Sequence, residues 1–483
     1  MPKKINLLEL PLPTFKPQSN SASTPQPNQQ FSQLALRNEL VTNLPSLGYQ
    51  QMTAIQSAAL PVILDGQDVI AQAPTGSGKT VAFGLGVLQA IQVEKFAIQA
   101  LLLCPTRELA DQVATELRRL ARAMHNLKVL TLCGGQPFGP QALSLQHGAH
   151  ILVGTPGRLE DHLRRGNLQL EQVKLLVLDE ADRMLDMGFH DSLTNLVAAV
   201  STQRQTLLFS ATFPPQIEQL AADFLRQPQR LAVAEAVAAP KIQQHFYRLE
   251  NEQQRFNALQ QLLLHFNPAT GVVFCTRRQE TQELADNLNK AGFNAQALHG
   301  DMEQKDRDAT LIQFANQSLN LLVATDVAAR GLDIAKVEAV FNYQLALDPE
   351  VHVHRVGRTG RAGQAGLACT LVSPAEGQRL ANLAAYLQQD LQLEAVPTAK
   401  PKVKPQPAPM RTLQIDGGKK AKLRPGDLLG ALTAQGTLHR EDIGAIKITA
   451  QTSYVAVARH LAPQALQLLN AGIKGRKFRA RYL

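Results

Sequence analysis

Two carboxylates, Asp179 and Glu180, stand side by side where an apolar run ends in KLLVLDEADRML (174–185). Adjacent acids can divide labour. One can hold a divalent cation through its waters, while the other positions an attacking water or accepts its proton. Alone, the pair reads as caps for the helix that follows. A second stretch favours chemistry: AQAPTGSGKTVAF (71–83) carries an apolar strand to Ala73, continues through Pro74, Thr75, Gly76, Ser77 and Gly78, and opens a helix at Lys79 and Thr80. Backbone amides of such a loop wrap phosphate oxygens, the lysine neutralises them and the hydroxyl ligates Mg2+. Its first position is Ala73 where the general pattern has Gly. Asp179 at the carboxyl end of a parallel strand faces the same sheet edge as that loop, so it is assigned to Mg2+ with Thr80, and Glu180 to the water that attacks the γ-phosphate of ATP. Further cations come from HRVGRTGRAG (354–363), whose Arg358 and Arg361 can present forks to one phosphate as an arginine finger does. A duplex-facing or structural role for these arginines stays open.

The positioning elements follow from pattern. DVIAQA, ALLLCP, HILVGTP, KLLVLDE and TLLFSAT alternate with helix-like segments, and the alternation restarts after about residue 240 with TGVVFCT, LNLLVATD, EAVFNY and LACTLV. This predicts an α/β chain of two tandem domains, each a parallel sheet with helices on both faces. The expected organisation is a flexible leader (1–30), a first domain (31–231), a second (232–396), a Pro/Lys tether (397–409) and a terminal module (410–483). In the last, MRTLQIDGG, PGDLLGALTAQ, IGAIKIT, SYVAVARH, PQALQLLNAG and RKFRARYL predict the order βαββαβ of an RNA-recognition-motif-like α+β fold.

At 483 residues and 45% apolar, the chain can bury several cores. No signal-peptide stretch and no run of ~18 uncharged apolar residues occurs, which predicts a cytoplasmic protein without a membrane partner. Four dispersed cysteines, Cys104, Cys133, Cys275 and Cys369, have no zinc or disulfide spacing. Charge is uneven: from Lys400 onward there are sixteen Lys and Arg against four Asp and Glu, out of 49 and 40 in the whole chain. That end therefore carries +12 of a total of +9, leaving the remainder at −3. A basic module on a near-neutral body points to a polyanion such as nucleic acid, or else to a solubilising tail. Stacking aromatics are nearly missing where they are expected: the first strand has none and the third only Tyr454. Basic residues gather instead in one loop, Lys419, Lys420, Lys422 and Arg424, and near the chain end, Arg476 and Lys477 among them.

From Phe31 to about residue 395 the motifs resemble those of the DEAD-box RNA helicases, in that family's order. GYQQMTAIQ (48–56) resembles the adenine-reading Q motif, with Gln56, upstream Phe31, and Ala54 where proline is usual. PTRELA (105–110), TPGR (155–158), DEAD (179–182), SAT (210–212), QKDR (304–307), TDVAARGLD (325–333) and HRVGRTGR (354–361) match further motifs. The resemblance implies RNA-dependent ATP hydrolysis with Mg2+ and local unwinding of short duplexes. It assigns Gly331 and Asp333 to the nucleotide. Asp182, Ser210, Thr212 and His354 would couple hydrolysis to RNA. Pro105, Thr106, Arg107, Gly135, Thr155, Arg158, Arg307 and Thr325 would touch the RNA backbone, which carries little sequence preference. Core and tail together resemble the DbpA type, implying a monomer whose C-terminal module recognises hairpin 92 of 23S rRNA during large-subunit (50S) assembly. The alternatives are a general RNA chaperone with a non-specific basic tail, a DNA helicase, and a scaffold with a ruined ATP site. The last is disfavoured because Lys79, Thr80, Asp179, Glu180, Arg358 and Arg361 are all present.

Overall fold

The computed structural model describes residues 29–73, 76–232, 242–326, 337–360, 366–398, 403–434 and 436–483. Pro74, Thr75, Gly331, Asp333 and Arg361 lie outside them, as do most of the leader and the junction near 233–241.

Short apolar runs become strands because a parallel sheet covered on both faces can bury every position. Leu175–Asp179 is buried throughout. The first sheet contains Val69–Gln72 (β1), Ala100–Leu103 (β2), Val129–Leu132 (β3), Ile151–Gly154 (β4), Leu175–Asp179 (β5), Gln205–Ser210 (β6) and Gln229–Ala232 (β7), in the parallel order β3-β4-β2-β5-β6-β1-β7. Alternate residues feed opposite cores: Val177 and Phe209 pack on one face, Leu176, Leu178 and Leu208 on the other. Because β1 neighbours β6 and β6 neighbours β5, the chain turns after Gln72, Asp179 and Ser210 emerge together at one edge.

A second parallel sheet repeats the architecture with Ile242–Arg248 (β8), Gly271–Cys275 (β9), Ala295–Leu298 (β10), Leu321–Thr325 (β11), Ala339–Asn342 (β12), Gly366–Val372 (β13) and Leu393–Glu394 (β14), ordered β10-β11-β9-β12-β13-β8-β14. The third sheet is antiparallel: Met410–Ile415 (β15), Ile443–Ile448 (β16), Ser453–Ala458 (β17) and Ala480–Tyr482 (β18), ordered β16-β17-β15-β18. Helices Pro425–Thr433 and Ala462–Ala471 give it the βαββαβ order. Leu413, Ile415, Val455 and Val457 pack against Leu428 and Leu469.

The described part of the tether, 403–409, packs against its neighbours. Ala408 is fully buried and its carbonyl accepts from Arg459 Nε. Beside it, Thr412 of β15 is pinned to the second domain, with Ser318 Oγ at 2.7 Å and Asn316 Nδ2 donating at 3.1 Å. Proline and lysine content describes the chain alone and is blind to what the chain packs against. The cysteines described are free and buried. No helix among the described residues is long and apolar enough to cross a membrane.

Candidate functional site

The phosphate loop is set by helix chemistry on two sides. Thr53 and Gln56 form a capping box at the start of helix Ala54–Leu64, where Ala54 occupies the first helical position. Gln56 accepts from Thr53 N at 2.9 Å and donates to Gly78 O at 3.1 Å. Gly78 caps helix Lys79–Ala90 with φ +97°, and a Cβ there would fall 2.5 Å from Gln56 Nε2. Only glycine meets both demands. Ala73, by contrast, is not among the residues with positive φ, so alanine costs nothing there. Its carbonyl accepts from Lys79 Nζ at 2.8 Å, and Lys79 is buried. Gly76 has φ +88°, Thr80 is half-buried on the helix, and Ser77 has a bonding partner. Phe31 is buried in the first core.

Opposite this loop, Asp179 is 4% exposed and its Oδ1 is buried without a partner. Burial pushes its carboxyl up to about 7, against the pull of Lys79 and with Glu180 adding to the rise. An orphaned carboxylate oxygen beside a hydroxyl-bearing phosphate loop suits Mg2+, which takes one or two protein oxygens and keeps several waters.

Glu180 adopts φ +53°, a left-handed conformation rare for a side-chain-bearing residue, and makes no cap bond to the helix Ala181–Asp186 that it precedes. The capping alternative therefore fails for it. Its carboxylate pairs with Arg183 at 2.7 Å, both side chains being almost wholly buried. Sequence reasoning missed Arg183, although an acid and a base three apart at a helix start are a readable signal. Asp182 accepts from Thr212 N and Thr212 Oγ1, each at 3.0 Å. Its burial alone would raise the carboxyl pKa; the Thr212 amide and the Arg183 charge outweigh burial and hold it below the usual range. Ser210 is buried with an unpartnered Oγ.

Arg183 also lines a cleft between the two α/β domains with Phe274, Asp326, His354, Arg355 and Arg358. Arg358 is buried and its Nε donates to His354 O at 3.3 Å. The sequence reading passed over Arg355, which grips Asp326 with both Nε and Nη2 at 2.5 and 2.8 Å and lies over the Phe274 ring. That bidentate pair ties helix Pro349–Val356 to the end of β11, where Thr325 is buried.

On another face, Pro105, Thr106 and Arg107 start helix Arg107–Leu120, with the Thr106 hydroxyl capping Leu109 N at 3.3 Å. Thr155 precedes helix Pro156–Arg164, from which Arg158 donates to Gln136 O and Gln141 Oε1, each at 3.0 Å. Gly135 has φ +72° and abuts Gln304 of the second domain. The domains meet here in reciprocal pairs: Arg107 lies 3.5 Å from Asp308, and Arg307 3.4 Å from Glu108. The structure thus brings Arg107, Gly135 and Arg307 into one strip.

In the terminal module the two basic segments, far apart in sequence and expected as separate clusters, converge. Arg476 Nη1 donates to Ala421 O at 2.9 Å, placing it and Lys477 beside Lys419, Lys420 and Lys422. Arg424 N is capped by Asp427, which also holds Lys474. Tyr454 is buried, so no free aromatic platform stands at its position.

Comparison with known proteins decides the family. A DEAD/DEAH box helicase model matches residues 53–220, a helicase conserved C-terminal domain model 254–363, and a DbpA RNA binding domain model 412–482. The ATP-dependent RNA helicase DbpA of Escherichia coli (strain K12) is 53% identical over 444 residues, 92% of this chain and 97% of that protein. The chain belongs to the DEAD-box ATP-dependent RNA helicases. Within the family it is DbpA-like. The DEAD-box ATP-dependent RNA helicase CshA of Geobacillus kaustophilus is 41% identical over 76% of this chain and 79% of its own length. Among solved structures, S. cerevisiae Dbp5 bound to RNA and ADP BeF3 superposes with a TM-score of 0.69 at 31% identity, covering 76% of this chain and 95% of that one. As a member, the chain hydrolyses ATP and acts on RNA.

Proposed function

We infer that this helicase is delivered by its C-terminal module to the hairpin 92 region of 23S rRNA, where its core separates short duplexes during large-subunit assembly in the cytoplasm, working as a monomer. The observation that carries the targeting is the convergence of Lys419, Lys420, Lys422, Arg476 and Lys477 at one end of a domain whose sheet buries Tyr454. A structured RNA gripped through its backbone by loops fits that surface, because phosphate contacts fix position and need no stacking platform.

In the core, Gln56 reads the base and the loop from Ala73 to Thr80 holds the phosphates, with Lys79 countering their charge. Thr80 and Asp179 hold Mg2+, which when bound neutralises phosphate oxygens. Glu180 orients the attacking water and accepts its proton once freed from Arg183. Arg358, joined by Arg361, approaches the γ-phosphate from the second domain, and Gly331 and Asp333 hold the ribose side. Asp182, bonded to Thr212, senses closure together with Ser210 and His354. RNA lies along Arg107, Gly135, Thr155, Arg158, Arg307 and Thr325.

The test compares ATPase stimulation by 23S rRNA with that by unrelated RNA of equal length. Stronger stimulation by 23S rRNA at equal nucleotide concentration is expected. Equal stimulation would refute targeting and leave a general RNA chaperone.

A further inference from the structure

Where the second α/β domain meets the C-terminal module, the surface forms a groove of about 410 Å3. Asn294, Gln313 and Ser318 line one wall, Arg411 and Arg459 the other, and the tether segment Pro405–Ala408 closes it. Among the described residues no Asp or Glu lines this groove, and the acid there is the terminal carboxylate of Leu483. The Arg411 guanidinium lies 4.2 Å from the Tyr482 ring centroid, and Arg459 is anchored through Nε to Ala408 O. Both forks are thereby fixed close together. Burial, and after it the charge of Arg411, lower the pKa of Arg459.

Two guanidinium charges near one another exceed the single terminal carboxylate of the groove, and the excess positive charge favours an anion. Planar forks are suited to phosphate oxygens. The location selects among phosphates. Arg411 is the second residue of β15, while Lys419 follows its far end, so roughly one strand length, about 17 Å, separates the groove from the converged basic loops. The groove also abuts the second α/β domain through Ser318 and Thr412. The groove thus lies between the basic loops and the core, where a strand leaving an RNA held by the loops would run.

We propose that Arg411 and Arg459 form a further RNA-backbone subsite, which grips phosphodiesters of the single strand running between the RNA held by the C-terminal module and the helicase core. This rests on the reading of that module as an RNA-binding unit. The sheet face near Thr412, already covered by the second domain, then serves as a mount for the module, and the subsite lies at its rim.

The test uses the full chain with Arg411→Gln and Arg459→Gln combined, titrated across salt concentrations with a labelled RNA hairpin carrying or lacking a single-stranded extension. For the extended RNA, affinity should fall about tenfold and the salt slope by about 1.4, from roughly 0.7 per lost single-strand phosphate contact. The bare hairpin should bind as before. Arg411→Lys with Arg459→Lys should keep most of the slope, since charge is retained. An unchanged affinity and slope for the extended RNA would overturn the subsite, as would an equal loss for both RNAs accompanied by a lowered melting temperature, which marks a purely structural role. If wild-type ATPase were indifferent to every RNA, the RNA reading itself would fall; normal stimulation with an inert double variant removes the groove alone.

Discussion

Asp179 and Asp182 are three residues apart yet should respond to pH with opposite sign. For Asp179, burial raises the carboxyl from 3.8 to about 7. The folded state therefore keeps a proton that the unfolded chain releases, and stability falls as pH rises from about 4 to about 7. A shift of roughly three units corresponds to on the order of 4 kcal/mol. Asp179→Asn cannot ionise, so its advantage over the wild type should be absent near pH 4 and grow to that size by about pH 7.5. For a domain of this size that is a melting-temperature gap of roughly 10 °C. Asp182 runs the other way. Its carboxyl is held below 3.8 by the Thr212 amide and Arg183 despite burial. It contributes stability above its usual pKa and loses it as pH falls through its folded value, so Asp182→Asn should cost about 1–3 kcal/mol at neutral pH and nothing in acid. The assay is thermal unfolding of the nucleotide-free chain and both variants from pH 2 to 8, followed on the first domain's transition. Parallel curves for Asp179→Asn and wild type would refute the argument, because they would mean that the carboxylate ionises in the fold at no cost.

Glu180→Gln should preserve ATP and RNA binding while reducing turnover by two or more orders of magnitude, since the amide fills the same place but takes no proton; unchanged steady-state hydrolysis would remove Glu180 from the mechanism. Arg476→Glu combined with Lys477→Glu should weaken binding of hairpin RNA and flatten its salt dependence by at least one unit of slope. A wild-type slope in a filter-binding titration would relocate the binding face.

The fold was legible because its strands are continuous apolar runs and its phosphate loop has a strict local grammar. What escaped was non-local. Arg183 could be paired with Glu180 by spacing, but the left-handed backbone at Glu180 that makes the pair short has no sequence signature of its own. Arg355 sits inside a quoted motif, yet its partner Asp326 is 29 positions away and was read merely as part of another. Thr412 and Ser318, which mount the third module on the second, are ordinary polar residues separated by 94 positions. The antiparallel sheet order β16-β17-β15-β18 brings residues 421 and 476 together, a fact about topology that no local charge count contains.

The reciprocal pairs across the core bear on why RNA should govern closure. Arg107–Asp308 and Arg307–Glu108 join the domains at 3.5 and 3.4 Å, with Asp308 substantially exposed. The first pair, with its exposed carboxylate, contributes about 0–1 kcal/mol, and in the second, each side chain 14% exposed, lost hydration offsets much of the Coulomb gain. Two of them cannot hold the domains together against the freedom gained on opening, which leaves closure to be set by ligands that bind the closed state better. A ribose-phosphate backbone laid along the same strip offers Arg107 and Arg307 stronger partners than the carboxylates they face here, because a phosphate presents charged oxygens to the guanidinium in bidentate fashion. On the proposed reading, Glu108 and Asp308 hold the strip's arginines in place until RNA replaces them, and the exchange couples RNA binding to the approach of Arg358 toward the site built around Asp179 and Glu180.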